Sequence, residues 1–229
     1  MGSRTRIETP YGEGLLVTRR ARRPVATVLL SHGAGNGIDT ADLEALDKAL
    51  PPQGITVVRF EQPWRLAGRR IATPPHTLDA ALTLAANWMR VRTPLVVGGR
   101  SAGARSAART ARSLGAAGCL AIAFPLHPPG KPETSRADEL RNVRVPTLVV
   151  QGEKDQFGRP DEFPELTGVD VAVIPGADHS LKVGKRNPIS QEDALAVLVE
   201  STLEWLVREV VGPADPDGNG QGRGRVPST

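Results

Sequence analysis

The sequence predicts an α/β fold in which a mostly parallel sheet has helices on both faces. Continuous apolar runs with many β-branched residues recur along the chain, as at residues 25–30 and 55–60. Such runs are typical of strands that are buried on both faces. Segments with apolar residues at helical spacing separate these runs. Strands that alternate with helices form parallel sheets, because the helix returns the chain to the edge where the strand began.

The size of the chain fits this fold. It has 229 residues, of which 39% are hydrophobic, and these numbers suit one large domain with a substantial core. We expect that domain to span residues 1–211. Residues 212–229 are rich in Gly, Pro and Asp, cannot bury a core, and are therefore expected to form a disordered tail.

The first half of the chain is expected to form two short strands and then buried strands that alternate with helices. Short strands at residues 5–8 and 14–19 flank a turn rich in Pro and Gly. After the buried strand at residues 25–30, Thr40 is placed to cap a helix with leucines on one face. The second buried run, at residues 55–60, precedes a helix over residues 77–90 whose apolar stripe faces the core.

The second half continues the alternation. A strand at residues 94–97 leads into a helix over residues 102–114, with Gly115 as its C-cap. The arginines of that helix are expected to form a solvated stripe on its outer face. The last helix begins at the capping box formed by Ser190 and Asp193. The arginines of this stripe are Arg105, Arg109 and Arg112. Three more strands are predicted, at residues 118–124, 145–150 and 169–174.

Composition excludes several classes of function. The net charge is +4, but the basic run at residues 19–23 lies in a predicted turn, where such runs are usually solvated, so we expect no nucleic-acid partner. The single cysteine, Cys119, lies in an apolar run and is expected to be an inert buried thiol. No apolar run approaches membrane length and the N-terminus lacks an apolar leader. We therefore expect a cytoplasmic protein that does not associate with a membrane. We also expect that it has no metal and no cofactor.

The strand, turn and helix around Ser101 supply the first functional signal. Gly99-Arg100-Ser101-Ala102-Gly103 fits G-x-S-x-G, the nucleophile elbow of α/β-hydrolases. A serine raised on a tight turn occupies strained backbone, and the residues two before and two after it must lack bulk. The following helix directs its first N–H groups at any anion that forms beside the serine.

A glycine-rich loop at residues 31–37 follows the first buried strand. A dinucleotide site would require a third glycine at position 38, where the chain has Ile38. The loop fits better as half of an oxyanion hole, because α/β-hydrolases take one oxyanion N–H from this loop and one from the residue after the nucleophile. We assign these two N–H groups to Ala34 and Ala102.

An acid and a histidine follow later strands in the order that a catalytic triad needs. Asp155 follows the predicted strand at residues 145–150, and His179 follows the last strand. The order Ser, Asp, His is that of α/β-hydrolases. In this arrangement the histidine takes the serine proton and the carboxylate holds the histidine. Glu153 is the rival acid, and Asp178 is expected to point away from the base.

Several segments resemble a known family. The chain is similar to the α/β-hydrolase-like group that includes testis-expressed proteins and a subunit of the nonspecific-lethal histone acetyltransferase complex, a group related to dienelactone hydrolases. The resemblance implies a minimal hydrolase without a large lid domain, and it implies that some members act as subunits of complexes. The matching segments are residues 31–35, 98–105, 124–132, 151–158 and 178–181.

Two classes of function follow from these features. The first is a serine hydrolase that cleaves a carboxylic ester or thioester of a small substrate through an acyl-enzyme. The second is a hydrolase-like interaction module with a vestigial site. The triad and the oxyanion loop favour the enzyme. The sequence does not predict the acyl group, the leaving group or the oligomeric state.

Four side chains are candidates for substrate contact: Arg100, Lys131, His127 and Trp64. Arg100 precedes the nucleophile, and the others lie on loops at the same sheet edge. Cations at a small site would favour substrates with a carboxylate or phosphate. The alternative for Arg100 is that it folds down and braces the loop of Asp155 or Glu153.

Overall fold

The computed structural model describes residues 2–212, and its centre is one eight-stranded sheet. The tail predicted at residues 212–229 lies outside the described residues apart from Gly212. The strands are β1 (Ser3–Thr9), β2 (Gly12–Arg19), β3 (Ala26–Ser31), β4 (Ile55–Glu61), β5 (Leu95–Arg100), β6 (Gly118–Ile122), β7 (Thr147–Gly152) and β8 (Val169–Ile174).

The strand order confirms the predicted, mostly parallel sheet. The order is β1-β2-β4-β3-β5-β6-β7-β8. The pairs β1/β2 and β2/β4 are antiparallel, and strands β4, β3, β5, β6, β7 and β8 run parallel to one another. The carboxyl ends of the parallel strands therefore meet at one edge of the sheet, where ligands bind in such folds.

Six α-helices accompany the sheet within the described part of the chain. They are α1 (Ala41–Ala49), α2 (Pro63–Leu66), α3 (Pro75–Met89), α4 (Ala102–Thr110), α5 (Ala137–Arg141) and α6 (Gln191–Leu206). Short helical turns at Pro51–Gln53 and Pro160–Glu162 and a wider final turn at Val207–Val211 complete the elements.

Two cores confirm that helices cover both faces of the sheet. On one face α3 and α4 pack on the strands, and α4 contributes only small residues such as Ala104 and Ala107 to this core. Small side chains let α4 lie close to β5 and so place the start of this helix near the sheet edge. On the other face α1 and α6 pack together, with Trp205 as the largest buried side chain.

The structure corrects the sequence predictions at three places. The helix predicted over residues 102–114 ends at Thr110 and continues as turns to Gly115, which has φ +60°. Helices α2 and α5 are too short to show a periodic pattern and were not predicted. The arginines of α4 are not all solvated, because Arg105 binds Glu139 of α5 at 2.5 Å and Arg109 binds Asp79 of α3 at 2.7 Å.

The N-terminal caps predicted for α6 and α1 have different outcomes. Ser190 Oγ accepts from Asp193 N at 3.1 Å, and Asp193 Oδ2 accepts from Ser190 N at 3.1 Å, which confirms the capping box. Thr40 is the N-cap of α1 but makes no side-chain cap hydrogen bond.

Residues 123–146 connect β6 to β7 with α5 as their only helix, so the described chain has no lid domain. No helix within residues 2–212 has the length and apolar character to cross a membrane.

Candidate active site

Ser101 stands on strained backbone at the turn between β5 and α4. Its φ is +53° and its ψ is −112°, a conformation that non-glycine residues rarely adopt. The two flanking glycines permit this turn. A Cβ on Gly99 or on Gly103 would lie 2.4 Å from the carbonyl oxygen of Ser31 in β3. The prediction that these positions must lack bulk is therefore confirmed, and the backbone of the adjacent strand is the reason.

The three side chains predicted as a triad lie in one chain of hydrogen bonds. The Nε2 atom of His179 is 3.0 Å from Ser101 Oγ, and its Nδ1 atom is 2.8 Å from Asp155 Oδ2. Because an ionised carboxylate can only accept, Nδ1 carries the proton and Nε2 is free to accept from the serine hydroxyl. The arrangement can therefore remove a proton from Ser101.

Asp155 is fully buried, and its carboxylate is held from two further directions. The side-chain amide of Gln151 donates to Oδ2 at 2.9 Å, and the backbone N–H of Phe157 donates to Oδ1 at 2.8 Å. The Phe157 ring also packs on the imidazole of His179. This role of Gln151 is not among the sequence predictions, although a glutamine at the end of an otherwise apolar strand is a signal of a buried polar function.

The rival acids have other partners. The Glu153 carboxylate accepts from the backbone N–H of Gly176 at 2.6 Å. The Asp178 carboxylate accepts from the N–H groups of Ser180 and Lys182 at 2.7 and 3.0 Å and therefore closes its own turn. The expectation that Asp178 points away from the base agrees with this geometry.

The loop after β3 is held by a buried histidine. His32 Nδ1 donates to the carbonyl of Gly33 at 2.8 Å, and Nε2 accepts from the backbone N–H of Gln62 at 3.0 Å. This pattern requires the neutral ring, and burial lowers the pKa of His32. Within residues 2–212, the backbone N–H groups of Ala34 and Ala102 have no backbone acceptor outside the regular elements, so their assignment to an oxyanion hole stays a prediction.

The structure corrects the expectation that Arg100 contacts substrate. The residue is only 5% exposed, its Nε lies 3.0 Å from Asp42 Oδ2, and its Nη2 donates to the carbonyl of His179 at 2.9 Å. The alternative of a brace describes this arrangement better, but the braced loop is that of His179 rather than that of Asp155 or Glu153.

Two of the other three candidates are also engaged elsewhere. His127 is buried, with Nδ1 on the carbonyl of Pro128 at 2.8 Å and Nε2 on Glu162 at 3.0 Å. Trp64 is buried against the ring of His32, with centroids 5.5 Å apart. Of the four candidates, only Lys131 is exposed and accessible to an anionic substrate.

The chain matches a known protein family. The family model of the alpha/beta hydrolase domain matches residues 24–207, which include all the strands of the parallel part of the sheet. The chain belongs to the alpha/beta hydrolase family. This family membership agrees with the strand order, with the turn at Ser101 and with the position of the hydrogen-bonded side chains at the carboxyl edge of the sheet. The finer resemblance to testis-expressed and nonspecific-lethal complex proteins has no support in this match.

Solved structures of other hydrolases share the fold of this alpha/beta hydrolase. A lidless α/β serine hydrolase from Xanthomonas campestris is 21% identical, with 94% of this chain and 97% of that chain covered and a TM-score of 0.71. Est1E from Butyrivibrio proteoclasticus is 12% identical, with 90% and 99% covered and a TM-score of 0.70. A dienelactone hydrolase from Anabaena variabilis is 18% identical, with 91% and 99% covered and a TM-score of 0.66. At these identities the likeness shows the fold alone.

Proposed function

We propose that this alpha/beta hydrolase is a serine hydrolase that cleaves a carboxylic ester or thioester of a small substrate through an acyl-enzyme. The observation that supports the proposal most directly is the continuous chain of hydrogen bonds from Ser101 through His179 to Asp155. Serine is a poor nucleophile until a base removes its proton, and this chain supplies both the base and the group that orients it.

The first half-reaction forms the acyl-enzyme. Ser101 Oγ attacks the carbonyl carbon of the substrate while its proton passes to Nε2 of His179. The buried Asp155 carboxylate stabilises the imidazolium. The N–H groups of Ala34 and Ala102 are the proposed donors to the oxyanion of the tetrahedral intermediate. When the bond to the leaving alcohol or thiol breaks, His179 returns the proton to that group.

The second half-reaction releases the acid. Water attacks the acyl carbon, and His179 Nε2 takes its proton. The second tetrahedral intermediate collapses, Ser101 regains its proton from His179, and the carboxylic acid leaves. No metal or cofactor enters these steps. Within residues 2–212 no group of three His, Cys, Asp or Glu side chains is arranged to hold a metal ion.

The names of the similar structures give the proposal its substrate class. Est1E has been solved with ferulic acid, and an esterase from Thermogutta terrifontis has been solved with malate. We infer that the substrate of this chain is a carboxylic ester or thioester. The inference draws on the names of these similar structures and on the acyl-transfer geometry of the candidate triad. The alternative, an interaction module with a vestigial site, gives no reason for the strained Ser101 backbone, which costs about 1–3 kcal/mol at a position without function.

A fluorophosphonate probe tests the proposal. The wild-type protein should be labelled on Ser101 and should hydrolyse p-nitrophenyl acetate with a burst of nitrophenol. Ser101→Ala should remove the labelling and lower kcat by about 10⁴-fold. Ser180→Ala is the matched control, because Ser180 is an exposed serine next to the base and its hydroxyl makes no hydrogen bond within the described chain. Absence of wild-type labelling, or labelling of a folded Ser101→Ala protein, would refute the proposal.

A further inference from the structure

The side chain of Arg100 connects three segments of the candidate active site. Arg100 ends β5 and precedes Ser101, and its guanidinium is buried. Nη2 donates to the backbone carbonyl of His179 at 2.9 Å, and Nε lies 3.0 Å from Asp42 Oδ2. One guanidinium therefore links the strand of the nucleophile, the loop of the base and the first turn of α1, the helix that follows the candidate oxyanion loop.

Asp42 is the counter-ion that permits this arrangement. Its side chain is 3% exposed, and within residues 2–212 its carboxylate has no ion-pair partner other than Arg100. A buried guanidinium without a counter-ion is strongly unfavourable, and so is the carboxylate without the guanidinium. The two residues therefore form a buried ion pair without hydrogen-bond geometry, and the charge of Asp42 holds the guanidinium beside the His179 carbonyl.

Arginine has the shape that this position requires. Its planar guanidinium presents donors in fixed, divergent directions, so it can bind a carboxylate on one side and a carbonyl on another. The ammonium of lysine is a compact charge on a flexible stem and would satisfy Asp42 without maintaining the second contact.

The loop of His179 is held from outside at several points: the N–H of Lys154 donates to the Ala177 carbonyl at 2.8 Å, the side chain of Gln191 donates to the Leu181 carbonyl at 2.9 Å, and Arg100 donates to the carbonyl of His179 itself. Asp178 closes the turn by accepting from Ser180 and Lys182, which gives the loop an internal shape. That turn does not determine how far the imidazole lies from Ser101. The contact from Arg100 does relate the two, because Arg100 is covalently joined to Ser101 and hydrogen-bonded to the backbone of His179.

We propose that Arg100, held by Asp42, is a positioning residue that keeps the imidazole of His179 within proton-transfer distance of Ser101. This inference rests on the proposed hydrolase function. Arg100 acts through the backbone of the base and does not touch the substrate. Its loss should therefore lower the rate of the chemical step and leave substrate binding nearly unchanged, because displacement of a catalytic group by about 1 Å costs on the order of 100-fold in rate.

The central experiment compares two arginine-to-lysine variants in p-nitrophenyl acetate hydrolysis. Arg100→Lys should lower kcat by about 10- to 100-fold and change KM by less than about threefold. The rate of fluorophosphonate labelling should fall with kcat. Arg109→Lys is the matched control, because Arg109 also pairs with a carboxylate, through two hydrogen bonds to Asp79, but contacts no residue of the candidate triad. Its kcat should stay within about threefold of the wild-type value.

A second variant decides the matter if Arg100→Lys does not fold. Arg100→Met combined with Asp42→Asn removes both charges, so neither is left buried and unpaired. The folded double variant should show the same loss of kcat. In Arg100→Ala, added guanidinium ion should restore part of the lost kcat.

The outcomes separate this inference from the proposed function. If the wild-type protein does not label at Ser101, the hydrolase proposal fails and this inference fails with it. If Ser101 labels but the folded double variant retains the wild-type kcat, only the positioning role is refuted. A lower melting temperature with unchanged kcat in Arg100→Lys would also refute it, since that result describes a structural ion pair.

Discussion

The aromatic ring of Phe157 lies on the imidazole of His179, with ring centroids 4.1 Å apart and ring planes inclined by 34°. The backbone N–H of Phe157 donates to Asp155 at 2.8 Å. One residue thus restrains the candidate base through its side chain and the candidate acid through its backbone.

Removal of this ring should slow catalysis more than it destabilises the fold. We expect Phe157→Ala to lower kcat for p-nitrophenyl acetate by about 10-fold, since the imidazole loses the surface that limits its motion. Phe163→Ala is the control, because Phe163 packs edge-on against Phe124 and its aromatic contact includes neither His179 nor Asp155. Equal kcat values for the two variants, measured on folded protein, would contradict the role of Phe157.

Gln151 should matter for stability as well as for activity. Its buried side-chain amide donates to Asp155, to the carbonyl of Phe124 at 3.2 Å and to the carbonyl of Gly158 at 2.8 Å. Gln151→Leu removes these buried hydrogen bonds, one of them to a carboxylate, and should lower the free energy of unfolding in urea by about 2–4 kcal/mol. We expect kcat to fall as well.

The exposed Gln156 provides the control for this measurement. Its side chain makes no hydrogen bond within residues 2–212. Gln156→Leu should change the free energy of unfolding by less than about 0.5 kcal/mol. If Gln151→Leu is as mild as Gln156→Leu, the three hydrogen bonds do not stabilise the acid loop.

Gly103 should not tolerate even a methyl group. A Cβ at this position would lie 2.4 Å from the Ser31 carbonyl oxygen and 2.8 Å from that of His32, and backbone cannot withdraw as a flexible side chain can. We expect Gly103→Ala to lower the free energy of unfolding by about 3 kcal/mol or more. Gly35→Ala is the matched control, because a Cβ there meets no atom within 4 Å. Its melting temperature should stay near that of the wild type, and similar melting temperatures for both variants would show that the elbow can open.

The contact of His127 with Glu162 should make stability depend on pH. The Pro128 carbonyl and Glu162 raise the pKa of His127 above its ordinary 6.5, so this contribution is complete below pH 6.5 and is lost as the pH rises through the raised pKa. Hydrogen bonds from His127 and from the N–H of Arg159 lower the pKa of Glu162 below its ordinary 4.5, so its contribution is lost as the pH falls through that lowered pKa. The pair therefore stabilises the fold most between about pH 4.5 and 6.5.

Urea denaturation of the wild type and of Glu162→Gln measures this effect. The difference in free energy of unfolding between the two proteins should be larger at about pH 5.5 than at about pH 8.5, because His127 loses its charge as the pH rises through its raised pKa. The N–H of Arg159, which also binds Glu162, does not titrate and affects both measurements equally. The same difference at both pH values would mean that the charge of His127 contributes nothing.

The sequence determined the local features of this protein. The run from β5 through Ser101 into α4 predicts the elbow. A serine on strained backbone needs small neighbours, and this need arises from the local backbone conformation. The capping box of Ser190 and Asp193 predicted the start of α6 for a similar reason, since its hydrogen bonds join residues three apart. The alternation of strands and helices predicted the parallel sheet, and with it the common edge at which Asp155 and His179 approach Ser101.

Only the tertiary structure decided how individual side chains are paired. Nothing near Arg100 in the sequence indicates Asp42 or the His179 carbonyl as its partners. The arginines of α4 are predicted to form a solvated stripe, but two of them form ion pairs. Such pairs depend on which helix ends and loops meet across the fold. Backbone conformation is governed by neighbouring residues, whereas the partner of a buried charge is selected by packing among distant segments, where an unpaired charge would be too costly to keep.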